Sequence, residues 1–301
     1  MRRLAFLLLL LLPALPAAAG EMRALRIDGL LRSYYLHVPP TARSDAPLVI
    51  MLHGAGSNGQ DDTVRFGWRR KAEIEGFIVA GPDASPVYAG RPVHTISNPR
   101  VWNDGAPYLT PAAKASNDVA LVAGLVEELA RTHRIDRRRV YVAGFSSGGN
   151  MAGRLVQEMP ERLAAVMIAA GQFTPVRPKP ARGVPILYFS GDSDGLNPVE
   201  GGEVSTTWGA RMTKEPHRAI VERWRRLMDC PQPLLTQSEL NGAEQIEIVG
   251  PCRDGSEVRY VLVKGLGHEW PVDERGLTAG TLSATNEAWS FFRRFRLPAI
   301  P

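Results

Sequence analysis

The chain has 301 residues, of which 44% are hydrophobic and 22% are charged, so it holds enough apolar material for a large buried core. This composition excludes a disordered, collagenous or coiled-coil protein. The formal net charge is +5, or +3 once the two arginines at positions 2 and 3 are subtracted with the N-terminal leader. The basic residues are scattered, so the sequence does not favour a nucleic-acid partner.

Residues 1–19 have the pattern of a secretory signal peptide. Two arginines form a basic start, an unbroken apolar run covers residues 4–12, and Ala17 and Ala19 occupy the small-residue positions before a cleavage site. The apolar run is shorter than the roughly 20 residues of a membrane-spanning helix, so an uncleaved anchor is the less favoured interpretation. The sequence therefore predicts a secreted or periplasmic protein that has no membrane attachment after cleavage.

The rest of the chain alternates strand and helix patterns after an opening hairpin. Asp28 and Gly29 separate two short apolar runs, residues 22–27 and 31–38. Continuous apolar runs, typical of parallel strands buried on both faces, then alternate with helical patterns. The further predicted strands are residues 47–52, 76–80, 139–143, 163–170, 184–190 and 257–263. The predicted helices are residues 118–132, 150–158, 216–228 and 284–295.

This order of elements predicts an α/β protein with a mostly parallel central sheet flanked by helices. No linker-like segment divides the chain, so we expect one domain over residues 20–301. Residues 195–256 are rich in proline and glycine, and we expect them to form an insertion near the rim of the sheet. Cys230 and Cys252 are the only two cysteines, and an oxidising compartment favours their pairing in a structural disulfide.

Residues 144–148 read Gly-Phe-Ser-Ser-Gly and match the pattern G-x-S-x-G. The motif follows a predicted strand and precedes a predicted helix, which is the setting of a nucleophile elbow. Glycines flank Ser146 because so tight a turn brings the backbone close to itself. Ser146 is therefore the candidate nucleophile, and the N–H of Ser147 is a candidate oxyanion donor. The alternative is a Gly-Ser turn that merely starts a helix.

A serine nucleophile needs a base and an orienting acid, which in the α/β-hydrolase arrangement follow in the order serine, acid, histidine. Only His217 and His268 follow Ser146. His268 is the preferred base because it lies in a glycine-rich loop after a strand, whereas His217 begins a helix, where a surface or capping role is expected. Asp194 is the preferred acid because it stands further past its strand than Asp192, which is expected to bond the backbone of its own turn.

The second oxyanion donor is expected in the loop after the strand at residues 47–52, which reads His-Gly-Ala-Gly from His53. We predict that the backbone N–H of Ala55 is this donor. His53 is expected to bond the neighbouring loop backbone rather than to act as a catalyst. The sequence has no phosphate-binding loop and no acidic or histidine spacing typical of a metal site, so it predicts neither a metal nor a cofactor.

These motifs together resemble the secreted poly(3-hydroxybutyrate) depolymerase-like esterases, a group that includes the feruloyl and acetylxylan esterases of carbohydrate esterase family 1. The resemblance rests on residues 52–54, 101–105, 117–120, 139–151, 191–194 and 265–271. It implies an α/β-hydrolase fold with Ser146 as nucleophile, Asp194 as acid and His268 as base. The chain departs from the family where Ser190 replaces a usual histidine before Gly191, which bears on the substrate cleft more than on the chemistry.

The residues and the resemblance predict a serine esterase that works through an acyl-enzyme. Its expected substrates are polyesters or oligoesters of the 3-hydroxybutyrate type, or feruloyl and acetyl esters of plant cell walls. Trp102, Trp208 and Trp270 are candidates for lining an acyl or sugar pocket, with core packing as the alternative. A serine peptidase of the same fold and a catalytically silent extracellular binding protein are the competing functions.

Overall fold

The structure, a computed structural model, describes residues 20–107, 109–206, 209, 211–231, 238–240, 244–272 and 282–299. The predicted leader at residues 1–19 and Trp208 lie outside the described residues. Within the described ranges, no helix is long and apolar enough to cross a membrane.

The described part of the chain contains alternating strands and helices. The strands are β1 (Glu21–Ile27), β2 (Leu30–His37), β3 (Leu48–Leu52), β4 (Ile78–Pro82), β5 (Ser85–Pro86), β6 (Arg100–Val101), β7 (Val140–Phe145), β8 (Ala165–Ala169), β9 (Ile186–Gly191), β10 (Gly202–Ser205), β11 (Arg211–Lys214), β12 (Ser238–Leu240), β13 (Glu244–Val249) and β14 (Val258–Val263). The helices are α1 (Gly59–Arg65), α2 (Trp68–Glu75), α3 (Pro111–Lys114), α4 (Asp118–His133), α5 (Ser147–Glu158), α6 (His217–Leu227) and α7 (Ala284–Phe292).

A ten-stranded sheet in the order β1-β2-β4-β3-β7-β8-β9-β14-β13-β12 forms the centre of the molecule. The six strands from β4 to β14 run parallel to one another. Two antiparallel strands extend the sheet at each end, β1 and β2 beside β4, and β12 and β13 beside β14. The predicted α/β fold with a mostly parallel sheet and an opening hairpin is confirmed.

The parallel strands are mostly apolar because helices cover both faces of the sheet. Every residue of β3, β4, β7, β8 and β9 is buried. On one face, side chains of α4, α5 and α6 pack against the sheet in one apolar cluster. On the other face, α2 and α7 contribute a second cluster that is rich in aromatic rings. Burial on both faces explains why the sequence shows continuous apolar runs rather than alternation.

The elements differ from the prediction in a few places. Helix α5 begins at Ser147 rather than at residue 150, because the helix starts directly after the turn at Ser146. Helix α6 begins at His217, so Pro216 occupies the N-cap position rather than the first helical position. The segment 195–256 was expected to be an insertion near the rim of the sheet. It is partly built into the sheet instead, because β12 and β13 within it extend the central sheet beyond β14.

Cys230 and Cys252 form a disulfide bond in the structure. Cys230 lies just after α6, and Cys252 lies in the turn that leads into β14. The bond therefore connects the end of helix α6 to the amino end of strand β14. It lies at the opposite edge of the sheet from the loops that follow the parallel strands.

The loops that follow β3, β7, β9 and β14 leave the same edge of the sheet, because these four strands are parallel. In open α/β sheets, ligands bind outside the carboxyl ends of the strands. The preferred candidates for nucleophile, acid, base and oxyanion donors all directly follow one of these four strands.

Candidate active site

Ser146 occupies a sharp turn between β7 and α5. Its φ of 54° and ψ of −117° are rare for a residue with a side chain, and its N–H donates to the carbonyl of Ala169 at 2.9 Å. The turn requires glycine on both sides. A Cβ at Gly144 would lie 2.1 Å from the carbonyl oxygen of Gly148, and a Cβ at Gly148 would lie 2.1 Å from that of Leu52.

The histidine loop after β14 brings the imidazole of His268 to the hydroxyl of Ser146. The distance from Nε2 of His268 to Oγ of Ser146 is 2.9 Å. The ring also packs near Phe145, with ring centroids 5.1 Å apart. The imidazole is therefore held where Nε2 can accept the hydroxyl proton.

Asp194 completes this line of hydrogen bonds. Its Oδ2 lies 2.8 Å from Nδ1 of His268, and its Oδ1 accepts hydrogen bonds from the N–H groups of Leu196 and Asn197, both at 2.8 Å. Burial on its own raises the pKa of Asp194, but the hydrogen bond and charge of His268 and the two backbone donors outweigh burial and lower it. The carboxylate is therefore kept ionised beside the imidazole.

Asp192, the alternative acid, supports the histidine loop instead. Its Oδ1 accepts a hydrogen bond from the backbone N–H of Gly265 at 2.6 Å and one from the hydroxyl of Ser193 at 2.9 Å. The expectation that Asp192 bonds the backbone of its own turn is corrected, because its backbone partner belongs to the loop that carries His268.

His217, the alternative base, lies away from Ser146 and is fully buried. Its Nδ1 lies 3.0 Å from the hydroxyl of Tyr260, and its Nε2 lies 2.9 Å from the carbonyl of Asn197. The expected surface or capping role is therefore corrected to a buried structural one. Burial lowers the pKa of His217, which favours the neutral ring.

The loop after β3 is held in place around Ala55. The N–H of Gly54 donates to Oδ2 of Asp62 at 2.9 Å, and the N–H of Gly56 donates to the carbonyl of Arg100 at 2.9 Å. Between them, the N–H of Ala55 has no hydrogen-bond acceptor among the described residues. Ser147 begins α5, so its N–H has no acceptor within the helix.

His53 is buried beneath this loop and bonds backbone groups, as expected for a structural histidine. Its Nε2 accepts a hydrogen bond from the N–H of Ala84 at 3.0 Å, and its Nδ1 lies 2.7 Å from the carbonyl of Gly54. The indole N–H of Trp102 donates to the carbonyl of His53 at 2.8 Å. Burial lowers the pKa of His53, so the ring is favoured in its neutral form.

Ser146 and His268 open into a cavity of about 540 Å³. Ala55 and Ser147 lie in its wall, and much of the remaining lining is aliphatic. The aliphatic residues are Val87, Ile96, Val101, Leu109 and Leu196, with Met212 beside them. The volume suits a small ester substrate.

The two described tryptophan candidates differ in their relation to the cavity. Trp102 lies in the cavity wall but is only 1% exposed. Trp270 is not among the described residues that line the cavity. It packs against Phe66 with ring centroids 4.9 Å apart, and its indole N–H donates to the hydroxyl of Thr285 at 3.0 Å. Its placement matches the core alternative rather than the predicted substrate contact.

Two ionisable residues of the cavity wall, Asp104 and Lys214, had no predicted role in the site. Oδ2 of Asp104 accepts a hydrogen bond from Asn150 at 2.9 Å, and burial raises its pKa. Lys214 ends β11 in a hairpin that no sequence motif marks. Within the described residues, no cluster of three or more histidine, cysteine, aspartate or glutamate side chains could hold a metal ion.

Comparisons with known proteins agree with this fold and identify the family. Residues 32–176 match the family described as Esterase PHB depolymerase. The protein NocK of Nocardia uniformis subsp. tsuyamanensis, which carries the name of an esterase, is 30% identical over 271 residues, covering 84% of this chain and 75% of its own. Feruloyl esterase B of Piromyces equi is 25% identical over 266 residues, covering 86% of this chain and 44% of its own.

Among solved structures, an acetyl xylan esterase from Aspergillus awamori superposes with a TM-score of 0.63 at 15% identity, covering 91% of this chain and 99% of its own. At this identity the likeness shows the fold alone. The fold and the relatives together define a carboxylic-ester hydrolase of the α/β-hydrolase class. The chain belongs to the PHB depolymerase esterase family.

Proposed function

We propose that this esterase works through a serine triad in which Ser146 is the nucleophile, His268 the general base and Asp194 the orienting acid. The observation that carries the proposal is the unbroken line of hydrogen bonds from Ser146 Oγ through His268 to Asp194, at 2.9 Å and 2.8 Å, at the wall of the cavity. A hydroxyl, an imidazole and an ionised carboxylate in this order are the groups that acyl transfer needs.

In the first half-reaction, Ser146 Oγ bonds to the carbonyl carbon of the ester while Nε2 of His268 takes the hydroxyl proton. The carbonyl electron pair moves onto the oxygen, and the N–H groups of Ala55 and Ser147 are proposed to stabilise that charge. The tetrahedral intermediate then collapses, and the bond to the alcohol oxygen breaks. Nε2 returns its proton to that oxygen, so the alcohol leaves and an acyl group stays on Ser146.

In the second half-reaction, water takes the place of the alcohol. Nε2 of His268 accepts a proton from the water as its oxygen bonds to the acyl carbon. The intermediate collapses, the bond to Oγ breaks, and the proton returns to Ser146. The carboxylic acid leaves and the free enzyme is restored. Asp194 stays ionised throughout and stabilises the imidazolium that forms in each half.

The cavity favours a short aliphatic acyl group. Its lining includes several large aliphatic side chains beside the polar ones, and Trp102 offers almost no exposed ring face for stacking. We therefore propose oligoesters of the 3-hydroxybutyrate type as the first substrate class. Feruloyl esters are the second candidate, because Tyr88 in the cavity wall is 48% exposed and could stack against an aromatic acid.

The test compares initial rates on a soluble 3-hydroxybutyrate oligomer and on methyl ferulate, using protein without residues 1–19. We expect faster hydrolysis of the oligomer, and loss of both activities in Ser146→Ala. The variant Ser290→Ala, at an exposed position of α7 that does not line the cavity, serves as the matched control and is expected to keep both. If ferulate is preferred, the second substrate class replaces the first, and retained activity in Ser146→Ala would refute the proposed nucleophile.

Secretion is proposed from the leader pattern of residues 1–19. The test is expression of the full chain in a bacterium, followed by N-terminal sequencing of the exported protein. We expect the mature chain to begin at Gly20, and an unprocessed chain retained with the cells would contradict export.

A further inference from the structure

Lys214 places an ammonium group in the wall of the active-site cavity. It is the last residue of β11, and Thr206 and Met212 from the same hairpin also line the cavity. The side chain of Lys214 is partly buried. It makes no ion pair within 4.0 Å and no hydrogen bond to any residue in the described part of the chain.

The two carboxylates whose charges affect the pKa of Lys214, those of Asp104 and Asp194, already have hydrogen-bond partners of their own. Asp104 is 2% exposed and accepts hydrogen bonds from Asn150 and from the N–H of Ala106, both at 2.9 Å. Asp194 is bonded to His268. Burial lowers the pKa of Lys214, and the charges of Asp104 and Asp194 only partly offset this effect.

A partly desolvated ammonium group gains most from a ligand that brings a negative charge. Burial has removed some of its water, and a charge-assisted hydrogen bond to a carboxylate would replace that lost hydration. Among the described residues that line the cavity, Lys214 is the one lysine or arginine. An anionic group on the substrate would therefore meet one lysine side chain in the cavity that also holds the reacting serine.

We propose that Lys214 selects esters that carry a free carboxylate close to the scissile bond over neutral esters of the same size. The acid end of a short hydroxyacid oligoester has this chemistry. The inference rests on the proposed function, because it assigns the substrate class of the same cavity.

The test uses two esters that differ only in the terminal group of the acyl chain, 4-nitrophenyl hydrogen glutarate and 4-nitrophenyl pentanoate, in which a neutral methyl group replaces the carboxylate. The measured quantity is the ratio of kcat/KM for the anionic ester to that for the neutral ester. The wild type should favour the glutarate. Lys214→Met should lower the ratio about 10-fold, mainly through KM for the glutarate, and Lys214→Glu should lower it further.

The matched control is Arg211→Met, which removes the same charge from an exposed position on the same strand that does not line the cavity. Its ratio should equal that of the wild type. An unchanged ratio in Lys214→Met, or an equal fall in Arg211→Met, would overturn the role of Lys214 while leaving the esterase intact. If the wild type cleaves neither ester faster than Ser146→Ala, the proposed function fails and this inference fails with it.

Discussion

Ser146 is held at positive φ although it carries a side chain. Such a conformation costs about 1–3 kcal/mol and persists only where the surroundings enforce it. Here its N–H is bonded to Ala169, and the flanking glycines allow the backbone to close on itself. The strain turns the hydroxyl out of the sheet toward His268, so the conformation contributes to positioning the nucleophile.

The two aspartates of the acid loop are expected to differ sharply in their effect on rate. Asp194→Asn removes the charge that stabilises the imidazolium and should lower kcat by about 10³–10⁴-fold. Asp192→Ala removes only a brace on the histidine loop and should lower kcat by less than about 10-fold. Steady-state kinetics on a soluble ester would check both. Equal losses in the two variants would contradict the assignment of Asp194 as the acid.

At the level of single residues, the sequence predicts the candidate catalytic residues better than it predicts the contacts that support them. The elbow motif and the order serine, acid, histidine point to three residues that the fold brings together. The partner of Asp192 could not be predicted, because it depends on how the loops after β9 and β14 meet. Burial of His217 was missed for a similar reason, since Tyr260 and Asn197 reach it from distant parts of the chain.

At the level of elements, the strand–turn–helix unit depends on a close approach between two backbones. In Gly148→Ala, the new Cβ would lie 2.1 Å from the carbonyl oxygen of Leu52, which is fixed in the sheet. We expect the free energy of unfolding to fall by about 3 kcal/mol and kcat/KM to drop by more than about 10²-fold. The measurements are urea denaturation and steady-state kinetics.

Gly195→Ala is the matched control for that variant. A Cβ at Gly195 meets nothing within 4 Å, and its φ is not positive. Its stability should match the wild type to within about 0.5 kcal/mol. A Gly148→Ala protein as stable and active as Gly195→Ala would show that the turn relaxes easily and that the close approach to Leu52 does not constrain it.

Tyr141 couples β7 to the segment after α7 and should make stability depend on alkaline pH. Its hydroxyl donates to the carbonyl of Phe295 at 2.8 Å, and burial raises its pKa from 10.0 to about 12. Below pH 10 both folded and unfolded states keep the proton. Between pH 10 and 12 the unfolded state loses it first, so the stabilising contribution is lost as pH rises through this window.

Replacement of Tyr141 by phenylalanine should remove that contribution to the pH dependence. At pH 8 the variant should be less stable by about 1 kcal/mol, because the carbonyl of Phe295 loses its donor. Between pH 10 and 11.5 it should lose less stability than the wild type. Urea denaturation at each pH measures this, and parallel losses in the two proteins would show that Tyr141 does not titrate as described.

The sequence predicts elements well where burial leaves a clear pattern. The apolar runs of the parallel strands and the opening turn at Asp28 are such cases, because both follow from local composition. Helices α1 and α2 were not predicted, since α2 is mainly charged and buries little beyond Trp68 and Ala72. Strands β12 and β13 were missed because they join the sheet through tertiary contacts, the pairing of β13 with β14 and of β12 with β13.

For the molecule as a whole, the disulfide should contribute to stability without affecting the chemistry. The bond joins residues that are 22 positions apart near the amino end of β14, whereas His268 follows its carboxyl end. A chain-entropy estimate for a loop of this length is about 3 kcal/mol. The double variant Cys230→Ala/Cys252→Ala should be less stable by about that amount, while kcat/KM at 25 °C stays within about twofold.

Urea denaturation and steady-state kinetics check this prediction. A free-thiol assay on the unfolded, unreduced wild type should find no thiol. Two free thiols would contradict the bond itself, and a large loss of kcat/KM in a folded double variant would show that the distant edge controls the site.

The overall arrangement of the sheet was only partly predictable. Alternating strand and helix patterns imply a parallel sheet, but the spatial order of strands depends on crossovers that the sequence does not mark. That order matters for function, because it sets β3, β7 and β8 side by side and places β14 next to β9. The acid and the histidine meet for this reason, although 74 positions separate them in the chain.

The most direct test of the proposed mechanism is covalent labelling of the folded protein with a fluorophosphonate, read by intact mass and then by peptide mapping. We predict a single adduct on Ser146, abolished in Ser146→Ala and strongly slowed in a His268→Asn variant that still folds. An unlabelled folded wild type, or an adduct on another serine, would contradict the assignment of Ser146 as the activated nucleophile.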